Sequence, residues 1–458
     1  MRRRGLLLAA GLGLTGAAAR RTSATESDWR ALAAAMSGTL HRPGDPGYDQ
    51  AHRLHDPRFD HVRPPAVAGC ATAVDVAAVV GFANRFGLAV TARGGGHSYV
   101  GASTSTEAIV VDLRLLDSVS YTNGTATIGG GARLLPIYEA LAAHGVSIPA
   151  GSCGTVGIGG IALGGGFGMA ARLAGLTCDA VTGVELVTAD GLIRHVDANT
   201  QPELLWACRG GGGGQVGIVT RYTIKCFPMA DTGSFTAYWP WQDALAVARG
   251  WQQHIAPDHV WSTLQFASDR TVRVAGFTIG ADAQPELDRL ISAVGRPPEN
   301  ASVEQRSFLD VVRDRAGRAT RATHLIGSDI LPAPLSDETM RQVLTVVARR
   351  HGKPATVKFT PLTGAMSRVD PQATAFPWRG AFAMIQWLII DAPADDAYAW
   401  IGQGHQAVAA QSIGRYVNYL EPDAQRLHLY YGRNYDRLRD LRRTIDPQRL
   451  FRSPFAVT

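Results

Sequence analysis

The sequence predicts an α+β protein of two domains. Short buried strands and glycine-terminated helices alternate up to about residue 230, and longer alternating strands with two helices between them fill residues 232–399. The length of 458 residues exceeds that of one ordinary domain, and an apolar fraction of 46% suits a large core. We expect a first domain at 28–230, a second at 231–400, and a C-terminal segment at 401–458 that returns to the first.

Local patterns define the elements of the first domain. The stretches "VDVAAVVGFANRFG" and "LLPIYEALAAHGV" have the apolar spacing of helices that end at glycine. "LAVTA", "AIVVDL" and "ATIGGG" are typical of short buried strands, and Asp190-Gly191 joins two further strands in a hairpin. The region therefore combines small mixed sheets with covering helices.

The second domain is predicted to consist mainly of longer, alternating strands. "FTAYWPW", "STLQFAS", "TVRVAGFTIG" and "AFAMIQWLIID" alternate as strands of a broad antiparallel sheet. "PELDRLISAVG" and "DETMRQVLTVVARRHG" are predicted helices between them.

Residues 1–27 have the order of an export signal. A basic start precedes an apolar run from Gly5 to Ala19 that ends in small residues, although a frayed basic tail has a similar composition. The run is too short and too rich in glycine for a membrane span. Paired arginines ahead of it are compatible with the twin-arginine route. We expect an exported chain that starts near residues 20–28 and has no membrane span once the signal is removed.

The charge balance does not indicate a nucleic-acid partner. The formal net charge is +6, but residues 1–24 hold five arginines and no acid, so the rest of the chain carries +1. No basic stripe occurs elsewhere in the sequence.

The cysteines predict no metal site. Cys70, Cys153, Cys178, Cys208 and Cys226 show neither CxxC spacing nor a zinc-ligand pattern with histidine. An odd count leaves at least one thiol unpaired, and we expect mostly free buried thiols.

Glycine is concentrated in discrete clusters. The chain has 51 glycines, and the first cluster, "RGGGHSYVG" at 93–101, follows an apolar strand. Glycine lets the backbone approach a bound molecule closely. A Rossmann phosphate loop needs a helix directly after its glycines, and "HSYVGAS" has no helical period. A nicotinamide-binding fold is therefore not expected.

The second cluster is "PAGSCGTVGIGGIALGGGFG", with nine glycines in residues 149–168. That composition predicts no stable helix, but it presents consecutive backbone N–H groups to an anion and leaves room for a flat ring. Cys153 stands near its start. Taken alone, the cluster is explained equally well as a tight packing loop around an inert cysteine.

Together the two clusters resemble the FAD-linked oxidases of the berberine bridge enzyme type, within the vanillyl-alcohol-oxidase superfamily. Further motifs follow in family order: "IVVDLRLLDSV", "WACRGGGGGQVGIVT", "YVNY", "YYGRNYDRL" and "DPQRLF". The resemblance covers about residues 55–230 and 405–455. It implies a PCMH-type FAD-binding domain of two small α/β subdomains, and a substrate domain whose large antiparallel sheet is covered by helices.

The resemblance also implies that FAD is attached at two residues. In the family, the histidine of the first motif bonds to the flavin 8α-methyl carbon and the cysteine of the second to ring carbon 6. These residues are His97 and Cys153 here, which indicates the doubly attached bacterial subgroup. Imidazole and thiolate are both nucleophiles, as such bonds require.

Non-covalent contacts to FAD are implied for the surrounding motifs: Arg93, Gly94, Gly95, Gly96, Ser98, Gly154, Thr155, Val156, Gly159, Gly160, Val219, Asn418 and Asn434. In one place the chain departs from the family, which usually has asparagine after the later glycine run where Gln215 stands here. The departure argues against a side-chain contact from Gln215 to FAD, whereas the backbone is still expected to follow the same path as in the family.

The catalytic base that the resemblance implies is Tyr419, the second tyrosine of "YVNY". It would take a proton while a hydride leaves the substrate for the flavin. A packed ring with a hydrogen-bonded hydroxyl is the alternative for any tyrosine here, and the one preferred for Tyr416. Free tyrosine has a pKa near 10, so Tyr419 needs help to act near neutrality, and Arg415 and Arg433 are close in sequence.

Oxygen is the expected electron acceptor. In the family, the third residue after the attaching cysteine shapes the oxygen pocket, and a small valine, here Val156, is associated with oxidases. The expected function is an oxidase of sugar hydroxyls, or of a glycosylated or polyketide-type metabolite, that releases hydrogen peroxide. A flavin dehydrogenase with another acceptor and a non-enzymatic flavin-binding protein remain alternatives.

Substrate contacts are the least determined part of the site. Gln386 and Trp387 are candidates from the central sheet, and His324 and Lys358 could also line the cleft, although a structural or solvated role is the simpler explanation for these two. Several tryptophans suit stacking on sugars, and core packing explains them equally well: Trp239, Trp241, Trp261, Trp378 and Trp387.

Overall fold

The computed structural model describes residues 23–254, 258–316, 320–422 and 426–458. The expected export signal lies almost entirely outside these residues. The first element described is helix α1 (Glu26–Ala35), whose N-cap Thr25 forms a capping box with Asp28. Across the described ranges, we find no helix with the length and apolar character needed to cross a membrane.

A small mixed sheet follows α1. Its elements are β1 (Thr39–His41), α2 (Tyr48–Ala51), β2 (Val67–Gly69), α3 (Ala73–Phe86), β3 (Ala89–Arg93) and β4 (Ala108–Asp112). The strand order is β1-β2-β4-β3, with β2, β4 and β3 parallel and β1 antiparallel at the edge. Helix α3 ends at Gly87 with φ +68°, which confirms the predicted glycine cap.

An antiparallel sheet of five strands comes next. Its strands are β5 (Val119–Thr122), β6 (Thr125–Gly129), β8 (Val181–Val187), β9 (Ile193–Asp197) and β10 (Ile218–Lys225). They lie in the order β5-β6-β10-β8-β9, and the predicted hairpin turn at Asp190-Gly191 joins β8 to β9. A separate two-stranded ribbon pairs β7 (Val146–Ser147) with β11 (Phe227–Pro228).

Short helices separate these strands along the chain, and one of them corrects a prediction. They are α4 (Leu134–Ala142), α5 (Ile158–Gly164), α6 (Ala171–Ala174), α7 (Thr177–Ala180) and α8 (Pro202–Cys208). The glycine-rich composition predicted no helix where α5 lies. The helix forms because Ile158 and Ala162 are fully buried in the core, and this packing outweighs the poor intrinsic propensity of glycine.

A broad antiparallel sheet of seven strands fills the second half. The strands are β12 (Thr232–Trp239), β13 (Val260–Ala267), β14 (Val272–Ile279), β15 (Asn300–Arg306), β16 (His324–Leu331), β17 (Thr356–Pro361) and β18 (Ala383–Ile390). Their order is β15-β12-β14-β13-β17-β18-β16. The accompanying helices are α9 (Ala244–Gln253), α10 (Gln284–Val294), α11 (Phe308–Arg315), α12 (Asp337–Ala348), α13 (Ala365–Arg368) and α14 (Ala394–Val408).

The two faces of this sheet differ. Alternate strand residues such as Leu264, Phe359 and Trp387 share a buried core with α9, α10, α12 and α14. The residues between them line a cavity on the opposite face. The α+β class and the large helix-covered antiparallel sheet predicted from the sequence are therefore confirmed.

The C-terminal segment runs back towards the first sheet. It contains α15 (His428–Tyr431) and α16 (Tyr435–Ile445), and Phe451 then forms a parallel bridge with Val90 of β3. Gln215 joins this segment to the later glycine run, since its amide donates to Phe455 O and its carbonyl accepts from Val457 N. Gln215 therefore has a structural role in this chain. The domain boundaries at 230 and 400 stay predictions.

Candidate active site

An elongated cavity of about 410 Å³ lies between the glycine-rich segments and the seven-stranded sheet. This volume is in the range of sites for small molecules and cofactors. The cavity lining is shared by several parts of the chain: β3 and the loop after it, segment 151–169, glycine run 213–217, the open face of the sheet and the "YVNY" segment. The cavity thus brings together motifs that are more than three hundred residues apart in sequence.

His97 enters the cavity as a neutral imidazole. Burial, followed by the nearby cations and imidazoles of His55, Arg133 and His324, lowers the pKa of His97 to about 3. Its ring stacks on His55, with ring centroids 3.9 Å apart. A neutral imidazole keeps a lone pair on one ring nitrogen, so His97 is in the form that can act as a nucleophile.

Cys153 is the exposed thiol among five free cysteines. Cys70, Cys178 and Cys208 are buried, and burial raises the pKa of each of them, so they are inert. Cys153 instead lines the cavity, with its Sγ 3.8 Å from the hydroxyl of Thr155. A thiol that is reachable from the cavity has the chemistry needed to bind a cofactor covalently.

The two glycine clusters pack backbone against backbone. A Cβ atom built on Gly95 would lie 2.3 Å from Gly157 N, and one built on Gly157 would lie 2.3 Å from Gly95 N. No side chain fits at either position, which explains the glycines and fixes the loops that carry His97 and Cys153. A flat ring between these loops would meet backbone atoms and two nucleophiles, so the residues present fit a flavin.

Three tyrosines form the wall nearest Cys153. The ring of Tyr419 lies 5.9 Å from Tyr99 and 5.0 Å from Tyr416, edge-on in both cases. The Tyr416 hydroxyl accepts hydrogen bonds from Gly166 N and from Asn418 Nδ2, both at 2.8 Å. Tyr416 therefore holds the backbone in place. Tyr419 is partly buried and lines the cavity.

The surroundings of Tyr419 favour its neutral form. Burial and the nearby Cys153 raise the pKa of Tyr419 to about 12. Arg415 does not offset this effect, because its guanidinium forms an ion pair with Glu421 at 3.0 Å.

Most of the residues assigned by resemblance lie on the cavity wall. They are His97, Cys153, Gly94, Gly95, Gly96, Ser98, Val156, Gly159, Gly160, Val219, Asn418, Tyr419 and Gln386. Their roles towards a cofactor or substrate stay predictions. Among the tryptophans, Trp261 lines the cavity.

Arg93 and Asn434 are not placed at the cavity. The Arg93 guanidinium is buried beside Asp112 at 3.5 Å and donates to carbonyls of Ala51 and His52. Asn434 is also buried and donates to the Ala375 carbonyl. Both side chains satisfy backbone carbonyls from distant parts of the chain, and their contacts to a cofactor stay predictions.

Gly154 and Trp387 also lie outside the cavity lining. Gly154 N donates to Ala316 O, and a Cβ there would lie 2.8 Å from the Ala316 side chain. The hydroxyl of Thr155 lies 3.8 Å from Cys153 Sγ, beside the lining. Trp387 is fully buried on the helix-covered face of the sheet, where its Nε1 donates to Asp329. It cannot contact a substrate in the cavity, whereas its neighbour Gln386 can.

Several cavity residues were not singled out from the sequence. Arg452 is a cation that lines the cavity, and its backbone N–H donates to Val90 O of β3. It therefore lies near the strand that ends at Arg93, the residue predicted to contact the pyrophosphate. Tyr99 and a polar row on the sheet, Gln265 and Arg273, also belong to the lining. A polar residue inside an otherwise apolar strand, as in "STLQFAS", is the signal that could have identified the row.

Comparison with known proteins agrees with this arrangement. A family model described as "FAD binding domain" matches residues 64–197, and one described as "Berberine and berberine like" matches residues 415–458. An uncharacterized FAD-linked oxidoreductase of Bacillus subtilis (strain 168), YgaK, is 29% identical over 435 residues, which cover 91% of this chain and 96% of the relative.

Solved structures share the whole fold. Physcomitrella patens BBE-like 1 is 26% identical, with a TM-score of 0.88 over 94% of this chain and 99% of that protein. The glucooligosaccharide oxidase of Acremonium strictum, described with a 6-S-cysteinyl, 8α-N1-histidyl FAD, has a TM-score of 0.84 at 23% identity, over 93% of this chain and 98% of its own. The chain is therefore an FAD-linked oxidoreductase that has the PCMH-type fold and is similar, in two matched domains and over almost its whole length, to berberine bridge enzyme-like proteins.

Proposed function

We propose that the protein is an oxidase with doubly attached FAD that removes a hydride from a hydroxyl-bearing or otherwise activated carbon of a saccharide, or of a glycosylated or polyketide-type metabolite. One observation carries the proposal. The fold brings a neutral imidazole, an exposed thiol and a cavity-facing tyrosine, His97, Cys153 and Tyr419, from distant parts of the sequence to one cavity.

His97 and Cys153 would hold the flavin covalently. The packed loops at Gly95 and Gly157 would support its ring, and backbone N–H groups near Gly94 and Gly159 would face its phosphates. The description of the Acremonium oxidase names the same two attachment chemistries for that protein. Bound FAD would supply the redox chemistry, as acceptor of the substrate hydride and donor of two electrons to oxygen, which would take up two protons and leave as hydrogen peroxide.

Tyr419 would accept the hydroxyl proton as the hydride leaves. With its pKa raised to about 12, its phenolate is a small fraction of the enzyme near neutral pH but is a strong base. Tyr99 packs edge-on against it and limits the orientations of the ring. Tyr416 and Asn418 keep the segment in place through the bonds to Gly166 and Ile161.

Val156 supports oxygen as the acceptor. This small side chain lines the cavity three residues after Cys153, where a bulkier residue would restrict access. The protein would be exported by the segment at residues 1–27, whose paired arginines are compatible with the twin-arginine route, and its mature chain would start near residues 20–28.

The proposal is tested with the purified yellow protein and a panel of sugars and aromatic glycosides. Bleaching of the flavin without oxygen identifies a substrate, and peroxide release in air identifies an oxidase. Bleaching without peroxide, together with turnover on a quinone, would establish the dehydrogenase instead. A flavin that no member of the panel bleaches contradicts the proposed substrate class.

A further inference from the structure

The open face of the seven-stranded sheet carries a row of four long polar side chains. Antiparallel pairing sets Arg273 of β14 opposite Gln265 of β13, Gln265 opposite Lys358 of β17, and Lys358 opposite Gln386 of β18. Residues directly opposite one another across antiparallel strands point to the same face. All four line the cavity, so the row extends across the part of the cavity wall that the sheet forms.

The charged residues that line the cavity in and beside this row are all positive. Arg273, Lys358 and the neighbouring Arg315 are cations, and none of the described residues that line the cavity is an aspartate or glutamate. Asp314 acts on Arg315, but its carboxylate is already paired with Arg306. The Nε atom of Arg273 is buried with no hydrogen-bond partner among the described residues.

The three cations act on one another. Burial, and then the charges of Arg315 and Arg273, lower the pKa of Lys358. Burial and Arg273 likewise lower the pKa of Arg315. Unpaired like charges in a partly desolvated cleft are unfavourable for the free protein, and an anion that enters the cleft relieves both the repulsion and the missing hydrogen bonds.

We propose that Arg273, Gln265, Lys358 and Gln386 form a subsite for an oxyanion, so that the substrate is an acidic saccharide or a related hydroxyl-bearing metabolite with a carboxylate or phosphate group. The inference rests on the proposed function, since it assigns this part of the cavity to the substrate. Two cations supply charge-assisted hydrogen bonds, and the two amides add neutral donors beside them.

The row lies close enough to the proposed base, Tyr419, for one substrate molecule to reach both. Met384 belongs to the buried cluster against which Tyr419 packs. Gln386 is two residues further along β18, which corresponds to ~7 Å at the usual rise of a strand. Thr360 pairs with Met384 in the sheet register, and both Thr263 and Thr360 line the cavity. The anionic group would therefore be separated from the oxidised carbon by about the width of one sugar ring.

Binding to the flavin-containing enzyme is the direct test, and isothermal titration calorimetry on the pre-reduced enzyme under anaerobic conditions measures it without turnover. The probes are matched sets: D-glucose, D-glucuronate and D-glucose 6-phosphate, and cellobiose with cellobiuronate. We expect an acidic member to bind about 10-fold or more tightly than its neutral partner at low ionic strength. The advantage should shrink as salt is added. The carboxylate and phosphate members show which oxyanion the subsite prefers.

Substitutions assign the effect to the row. Lys358→Met and Arg273→Gln should each weaken binding of the acid by about 10-fold, leave the neutral partner within about 2-fold, and leave the folded protein no less stable, because each removes a repelled charge. Lys358→Arg should retain the preference. Lys225→Met is the matched control, because Lys225 is an exposed strand lysine outside the cavity lining.

The outcomes separate this inference from the proposed function. Acid binding that depends on Lys358, with no flavin bleaching, supports the oxyanion subsite and argues against oxidation of these compounds. Bleaching by neutral sugars, with acids bound no better, supports an oxidase and overturns the subsite. The subsite is also overturned if no acid in the panel binds, or if Lys358→Met leaves the preference unchanged.

Discussion

The imidazole of His55 stacks on that of His97, with ring centroids 3.9 Å apart and 20° between the ring planes. His55 N also donates to the carbonyl oxygen of Gly96 at 3.1 Å, so His55 is held both to the ring of His97 and to the backbone of the residue before it. Burial and the nearby His324 lower the pKa of His55, which keeps both rings neutral near pH 7. This pair fixes the direction of the proposed attachment nucleophile.

Loss of the His55 ring should affect attachment at one residue only. In His55→Leu, we expect less flavin on His97 and normal flavin on Cys153, because the stacking partner of His97 is gone while the loop of Cys153 is untouched. Peptide mass mapping of the purified variant measures both. The exposed His61→Leu is the matched control. Equal occupancy of His97 in both variants would show that stacking has no part in attachment.

Replacement of the proposed base should slow the reductive half-reaction alone. Tyr419→Phe keeps the ring and deletes the proton acceptor, so we expect anaerobic flavin reduction to fall about 10²–10⁴-fold. Reoxidation of the pre-reduced enzyme and flavin attachment should not change. Tyr416→Phe provides the contrast: it loses the bonds to Gly166 and Asn418, and should lower thermal stability more than it slows reduction.

The pH dependence of reduction is a separate test of Tyr419. A base must be deprotonated to act, so the active fraction increases with pH up to its pKa. With a pKa of about 12, reduction by a neutral substrate should keep rising through the alkaline range without reaching a plateau near neutrality. Stopped-flow absorbance at a series of pH values measures this. A rate that levels off near pH 7 would assign the proton transfer to a group with a lower pKa.

Local sequence patterns were sufficient for much of the fold and for the centre of the site. The helix that ends at Gly87 and the hairpin at Asp190-Gly191 depend on near neighbours, so both follow from the sequence. The motifs around His97 and Cys153 are compact, and their meeting at one cavity follows from the resemblance.

The positions of the predicted residues that lie outside the cavity depend on distant partners. The direction of Arg93 is set by Asp112 and by carbonyls at residues 51–52, which no local pattern reveals. Alternation shows that Gln386 and Trp387 face opposite sides of β18, but the packing of Trp387 against Gly404 decides which side is the core. The row that begins at Arg273 exists only through the register of four strands.

A largely buried histidine behind the sheet, His405, should make stability sensitive to alkaline pH. His405 Nδ1 lies 2.8 Å from Asp329 and Nε2 lies 2.9 Å from Glu421. Although burial acts in the opposite direction, these two carboxylates raise the pKa of His405 to about 9, above its value of 6.5 in the unfolded chain. The stabilisation from His405 is thus complete below the unfolded pKa, and is lost as pH rises towards the folded one.

Thermal unfolding between about pH 6 and 9.5 measures this loss. The difference between the two pKa values corresponds to about 3 kcal/mol of unfolding free energy. His405→Gln should be less stable than the parent at pH 6 and should lack this part of the pH dependence. A parent and a variant with parallel profiles would show that His405 is not charged in the folded protein.

Covalent attachment of FAD at two residues is tested most directly by acid precipitation followed by peptide mass mapping. The parent protein should stay yellow in the pellet, and flavin should be found on both the His97 and the Cys153 peptides. His97→Ala and Cys153→Ala should each keep one bond, and the double variant should release its flavin into the supernatant. Release of flavin from the parent under acid, or a double variant that remains yellow, would contradict the account.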